Sequence, residues 1–233
     1  MLFKMIATSP MAIGVRKLTR RMGLNRLIAR VLWRGYEDRF GKELQERIAE
    51  GDCVWDIGAN VGFYTRRFAD KAAVVVAFEP APNCYEQLVR HSQGLRSVIP
   101  VRVALGAADG LASMELGDDP CSTTNRIVVG NEGRSSAGMC QVEIRSAESF
   151  VAERPELFPN EIKVDVEGHE WAVLEGMKGL LGDSRLRCVA FEVHFSILEE
   201  RGERRRPAEI QLVLEKQGFR VMWTDASHLI GTR

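Results

Sequence analysis

The chain carries two groups of residues with chemistry to offer. The first is Asp56-Ile57-Gly58-Ala59-Asn60-Val61-Gly62, followed farther on by Glu79, which stands just before Pro80. Gly58 and Gly62 permit positive φ or a close approach of backbone to a ligand. Gly58, Ala59, Asn60 and Gly62 are therefore the candidate backbone cradle. Glycine corners of this kind also hold dinucleotides, but the leading Asp56 would repel a pyrophosphate and favour a cationic amino group. Glu79, at the end of the next apolar run, can accept hydrogen bonds from both hydroxyls of a ribose. A ligand with a ribose at one end and an amino acid at the other suits the two acids, and S-adenosylmethionine has both.

The second group lies downstream: Asp165, Glu167, His169, Glu192 and His194. Transfer of a methyl group to an oxygen needs a base for the proton that the oxygen loses. Asp165 interrupts the apolar run IKVDV, where a carboxylate is costly without a partner or a task. It reads either as the acid facing the methyl group or as an acceptor for a loop amide. Glu167 leads a Glu-Gly-His turn and would orient Asp165, the acceptor or the cofactor, or else cap the next helix. His194 ends CVAFEVH, shares a face with Glu192, and is a natural base near neutral pH, with His169 as its competitor. Asp165, Glu192 and His194 can also be read as ligands of a divalent ion. No metal is assigned from the sequence.

Strands and helices must bring these groups together. CVWDIGAN, AVVVAFEP, SVIPVRVAL, EIKVDVEG and CVAFEVH read as apolar strands, the third an irregular or edge segment because of Pro100. VGFYTRRFAD, APNCYEQLVRHSQ, HEWAVLEGMKGLL and PAEIQLVLEKQG read as helices between them, after a short helix in GKELQERIAEGD. ALGAADGLASMELGDD reads as a hairpin, residues 117–140 as a long loop or lid, and QVEIRSAESFV as a strand with a helical turn. FRVMWTD and SHLIGTR close the chain as a strand pair. Repeated βα units predict a Rossmann-like α/β fold: a mainly parallel sheet, helices on both faces, and an antiparallel edge. In such a sheet ligands bind beyond the carboxyl ends of the strands, where both groups fall.

The domain would span residues 41–233, preceded by a basic helical extension over residues 1–40. Residues 1–36 hold Lys and Arg but no acid, which reads as a peripheral contact with an anionic membrane or as a lid or oligomer helix with a solvated face. At 45% hydrophobic and 27% charged residues the composition is that of a globular domain. Lys+Arg and Asp+Glu balance at 32 each, so no overall field favours nucleic acid. The five cysteines are scattered, without zinc spacing, and fit a reducing, cytoplasmic setting. Trp55, Trp171 and Trp223 sit in periodic apolar runs and read as core.

The segments VWDIGANVGFYT, VVAFEPAP, VALGAADG, IKVDVEGHEWAVLEGM and FEVH follow one another between Asp52 and about His194. In this combination and order the sequence resembles the FkbM family of methyltransferases. The resemblance implies a class I methyltransferase fold, S-adenosylmethionine as cofactor, and O-methylation of a hydroxyl on a sugar, natural product or other small metabolite. Competing readings are a nicotinamide-dependent oxidoreductase, disfavoured because DIGANVG lacks the G-x-G-x-x-G spacing, and a non-catalytic membrane-binding module using the basic N-terminus. An RNA methyltransferase contacting phosphates through Arg201, Arg204, Arg205 and Arg206 is weakened by Glu199, Glu200 and Glu203 beside them.

Overall fold

The structure is a computed structural model and describes residues 39–117, 125–128 and 138–233. The basic segment 1–36, Cys121 and most of the expected loop at 117–140 lie outside the described residues.

A helix described over residues 39–47 (α1) leads into β1 (Cys53–Ile57), and the alternation continues through α2 (Phe63–Ala69), β2 (Val74–Phe78), α3 (Pro82–His91) and β3 (Val98–Val101). Pro82 opens α3 where no backbone donor is required. Four strands follow: β4 (Ala104–Leu105), β5 (Gly110–Glu115), β6 (Arg126–Ile127) and β7 (Met139–Arg145). Next come α4 (Ala147–Glu153), N-capped by the Ser146 side chain, β8 (Glu161–Val164), α5 (Glu170–Gly176) and β9 (Cys188–Glu192). The chain ends with α6 (Phe195–Glu200), α7 (Arg206–Lys216), β10 (Arg220–Trp223) and β11 (His228–Thr232).

Seven strands form one sheet in the order β10-β11-β9-β8-β1-β2-β3. The five from β9 to β3 run parallel, while β11 and β10 are antiparallel, as the alternation of elements predicts. The sheet is buried on both faces because successive side chains point opposite ways. Trp55 and Ile57 of β1 join Phe78, Val164 and Phe191 against Phe150, Leu174 and Leu214 of α4, α5 and α7. Val54, from the same strand, joins Val75 and Ala190 against Phe40, Leu44 and Phe68 of α1 and α2. Trp55 is in the core, as expected, and its indole N–H donates to Leu157 O (2.8 Å). Trp171 and Trp223 pack on the rim of that core.

Two sequence expectations need correction here, and one helix had no assignment. SVIPVRVAL is two strands: β3 ends the large sheet, with Pro100 on its margin, and β4 belongs to a second sheet ordered β4-β7-β5-β6. The expected hairpin between residues 104 and 119 does not form. β7 inserts between its two arms, parallel to β4 and antiparallel to β5, a long-range pairing that no local pattern announces. Residues 195–200, unassigned in the sequence, form α6, which begins directly after His194. No described helix is long and apolar enough to cross a membrane.

Candidate active site

The order of the large sheet reverses at β1, whose neighbours are β2 on one side and β8 on the other. The carboxyl ends of these strands diverge there and leave a cleft. At its floor the chain turns from β1 into α2 through Gly58, Ala59 and Asn60. Gly58 and Ala59 both donate their N–H to Phe78 O, at 3.0 and 2.9 Å, which ties the corner to the tip of β2. Gly58 has φ +77°, and a Cβ there would lie 1.8 Å from Asp165 O, so only glycine fits between the ends of β1 and β8. Asn60 also adopts positive φ (49°) and aims its N–H at Glu79 Oε2 (2.8 Å). Gly62, at φ 88°, starts α2.

Glu79 is thus clamped: Ala81 N–H donates to Oε1 at 2.8 Å and Asn60 N–H to Oε2. Each oxygen keeps a further lone pair, and the side chain lines the cleft. Burial pushes its carboxyl up to about 7, against the pull of the Ala81 and Asn60 amides. One wall of the cleft is apolar, built by Phe78 and Leu105 together with Met114 and Ile127 of the second sheet; Glu79, Asp165, Glu167 and His169 supply the polar side. Asn125 and Ile127, from the segment expected to be an unstructured loop, also line the cleft.

Asp56 does not face this cleft. It is wholly buried beneath the corner, accepts from Thr65 Oγ1 (2.6 Å), and pairs with Lys163 Nζ at 3.1 Å. The cation it meets is therefore an internal lysine, which corrects the expectation of a ligand's ammonium. Asp56 and Lys163 are register partners on adjacent strands, flanked by Ala77 and Ala190, whose small side chains leave room for the lysine. Burial would discharge Lys163, but Asp56 and Asp165 hold it firmly charged. Its ammonium reaches Asp165 Oδ2 at 3.4 Å, so it links the buried acid to the cleft. Lys163 was not singled out in the sequence. Its signal was the one used for Asp165, a charge within an apolar strand.

Asp165 stands one residue past β8, with Glu167 and Gly168 turning the chain at φ 47° and 87°. His194 approaches from the end of β9. Its Nε2 lies 3.4 Å from Glu167 Oε2 and 3.7 Å from Asp165 Oδ1, and its Nδ1 lies 2.7 Å from Glu170 Oε1. Asp165, Glu167 and His194 therefore converge, as expected. Glu192 is engaged by His228, 3.4 Å from its Nε2, and stands near enough to Asp165 to act on its charge. Glu170, fully buried and also accepting from Gly168 N–H (3.0 Å), is the second residue missed in the sequence. Arg201 pins the turn from outside, donating to Gly168 O (2.6 Å) and Ile127 O (3.1 Å), a structural use in place of the phosphate contact considered for it.

The electrostatics separate the candidate bases. Burial lifts Asp165 to about 6, with Lys163 and His194 pulling the other way and Glu192 and Glu167 adding to the rise. Burial would lower His194, but its hydrogen bonds to Glu167 and Glu170 and the charges of Glu167 and Asp165 drive it up to about 11. The acids around His194 favour its protonated form while no cation replaces that proton, which argues against its expected role as the ready base. His169 is pushed down to about 4 by burial and by the charge of Arg201, and lines the cleft as a neutral ring.

Residues 56–221 match the Methyltransferase FkbM domain. The chain is 32% identical over 155 residues to the hexuronic acid methyltransferase AglP of Haloferax volcanii, an alignment covering 66% of this chain. It spans 61% of that relative's length. Among solved structures, Methyltransferase FkbM from Methylobacillus flagellatus KT superimposes with a TM-score of 0.54 at 12% identity, over 79% of this chain and 44% of that one. At that identity the likeness concerns the fold.

Proposed function

Because the chain belongs to the FkbM methyltransferase family, we propose that it is an S-adenosylmethionine-dependent O-methyltransferase acting on a sugar or similar small metabolite. The observation that carries this reading is Glu79: a buried carboxylate at the tip of β2, fixed by two backbone amides, with lone pairs left for a ribose. Gly58 keeps the approach to the cleft clear, and the Phe78, Leu105 and Met114 wall suits a planar base. S-adenosylmethionine supplies an electrophilic methyl group on a sulfonium. The chain's own residues orient the acceptor oxygen and take its proton as the new C–O bond forms.

Asp165 is the proton acceptor in this reading, since it lines the cleft and burial makes its carboxylate more basic than an exposed one. His194 Nε2, beside both carboxylates, holds Asp165 and Glu167 in place. The name of the Haloferax volcanii relative directs the acceptor search first to hexuronic acids. Purified protein with methyl-labelled S-adenosylmethionine is expected to label glycosides of hexuronic acids or neutral sugars, and mild alkali distinguishes a methyl ether, which survives, from an ester. Asp165→Asn should still bind S-adenosylhomocysteine in calorimetry while losing roughly 10²–10⁴-fold in turnover. A folded wild-type protein with no affinity for S-adenosylhomocysteine would overturn the proposal.

A further inference from the structure

We infer that Asp165, Glu167 and His194 form a binding site for one divalent metal ion at the wall of the cleft. One ligand atom from each residue lies within 4.8 Å of the other two. Two carboxylates neutralise a dication, and the imidazole Nε2, which gives up its proton to solvent when the ion binds, completes a three-point set drawn from the ends of β8 and β9. Asp165 and Glu167 line the cleft, so an ion held by them would lie at its wall.

A cluster of acids around a histidine is by itself an ordinary ion-pair network. Glu170 separates the two cases. It is fully buried and aims its carboxylate at His194 Nδ1 (2.7 Å) from the side away from Asp165 and Glu167. Such a carboxylate fixes the ring and directs Nε2 outward, the arrangement that commonly supports a metal-bound histidine. Its second oxygen, Oε2, is buried without a hydrogen-bond donor. Three carboxylates thus surround one imidazole, and the nearby ammonium, Lys163, is already shared with Asp56. A dication would settle that excess of negative charge.

Mixed carboxylate and imidazole ligands favour Mn²⁺ or a neighbouring first-row ion over Mg²⁺, which prefers oxygen and retains its waters. Glu192, read from the sequence as a metal ligand, is replaced by Glu167 because it faces His228. The purpose of the ion, to hold and polarise an acceptor oxygen, rests on the methyl-transfer reading; the binding itself does not.

The test is titration of the full chain with MnCl₂, followed by electron paramagnetic resonance and calorimetry, with S-adenosylhomocysteine binding and far-UV circular dichroism measured on every sample. Wild type is expected to bind one Mn²⁺ per chain. Glu167→Gln and His194→Gln should each weaken it at least tenfold with circular dichroism unchanged, and Glu192→Gln should stay within about threefold of wild type. Two results overturn the site: wild type that binds S-adenosylhomocysteine but not Mn²⁺, or Mn²⁺ binding that both site variants leave intact. Mn²⁺ binding that is lost in these variants, in a protein with no affinity for S-adenosylhomocysteine, supports the metal site and removes the cofactor reading.

Discussion

Two buried ionisable residues divide the work at the site. Glu79 must be ionised to accept from two hydroxyls, yet burial holds its carboxyl near 7. Affinity for S-adenosylhomocysteine should therefore rise with pH up to about 7 and level off above it, falling by up to about tenfold for each pH step below, as the proton occupies an acceptor oxygen. Calorimetry between pH 5 and 8 checks this, and Glu79→Gln should bind weakly with the pH dependence gone; an unchanged slope in that variant would remove Glu79 from the ribose. Lys163 is different, because it serves Asp56 and Asp165 from within the sheet. Lys163→Met leaves Asp56 buried and uncompensated, so about 3–5 kcal/mol of stability should be lost. Denaturant unfolding measures it, and the double variant Asp56→Ala/Lys163→Met should recover part of the loss, since no lone charge remains. A double variant no better than the single one would show that the lysine matters for packing alone.

At the scale of elements, the large sheet was legible and the small one was not. Each βα unit has its own signal: a continuous buried run in CVWDI, a glycine corner, then helical spacing in FYTRRFA. The corner predicted from Gly58 and Gly62 forms because both adopt positive φ. The β4-β7-β5-β6 sheet depends on pairing Gly110–Glu115 with Met139–Arg145, across a segment with no periodic pattern, and nearby residues made a false hairpin the simpler reading. Site residues divide likewise. Glu79, Asp165, Glu167 and His169 reach the cleft from strand ends that the sequence located, whereas the direction of Asp56 depended on Lys163 across the register. The small sheet is held by α5: a Cβ on Gly176 would lie 1.9 Å from Gly106 O, backbone against backbone. Gly176→Ala should thus force α5 off the end of β4 and cost about 1–3 kcal/mol or more. Gly182→Ala, where the nearest atom is 3.9 Å away, should change stability by less than about 0.5 kcal/mol. Equal melting temperatures for the two variants would mean that this contact does not restrain the helix.

For the whole molecule, the cleft lies where the two sheets meet. The floor and Glu79 come from the large sheet, while Met114 and Ile127 come from the small one. A ligand spanning them binds only the folded assembly, so it must raise the stability of the entire domain. S-adenosylhomocysteine at a hundredfold excess over its dissociation constant should add about 2.7 kcal/mol. For a chain of this length that corresponds to a rise in melting temperature of roughly 5–10 °C. NAD at the same concentration should give no shift, because the corner lacks the spacing that receives a pyrophosphate. With Lys+Arg and Asp+Glu equal at 32 each, no net field draws the ligand in, and the shift should persist when salt is raised. Thermal unfolding with each ligand at low and high ionic strength makes the comparison. Stabilisation by NAD alone would return the glycine corner to dinucleotide chemistry, and a shift abolished by salt would place the ligand on the charged surface instead of between the sheets.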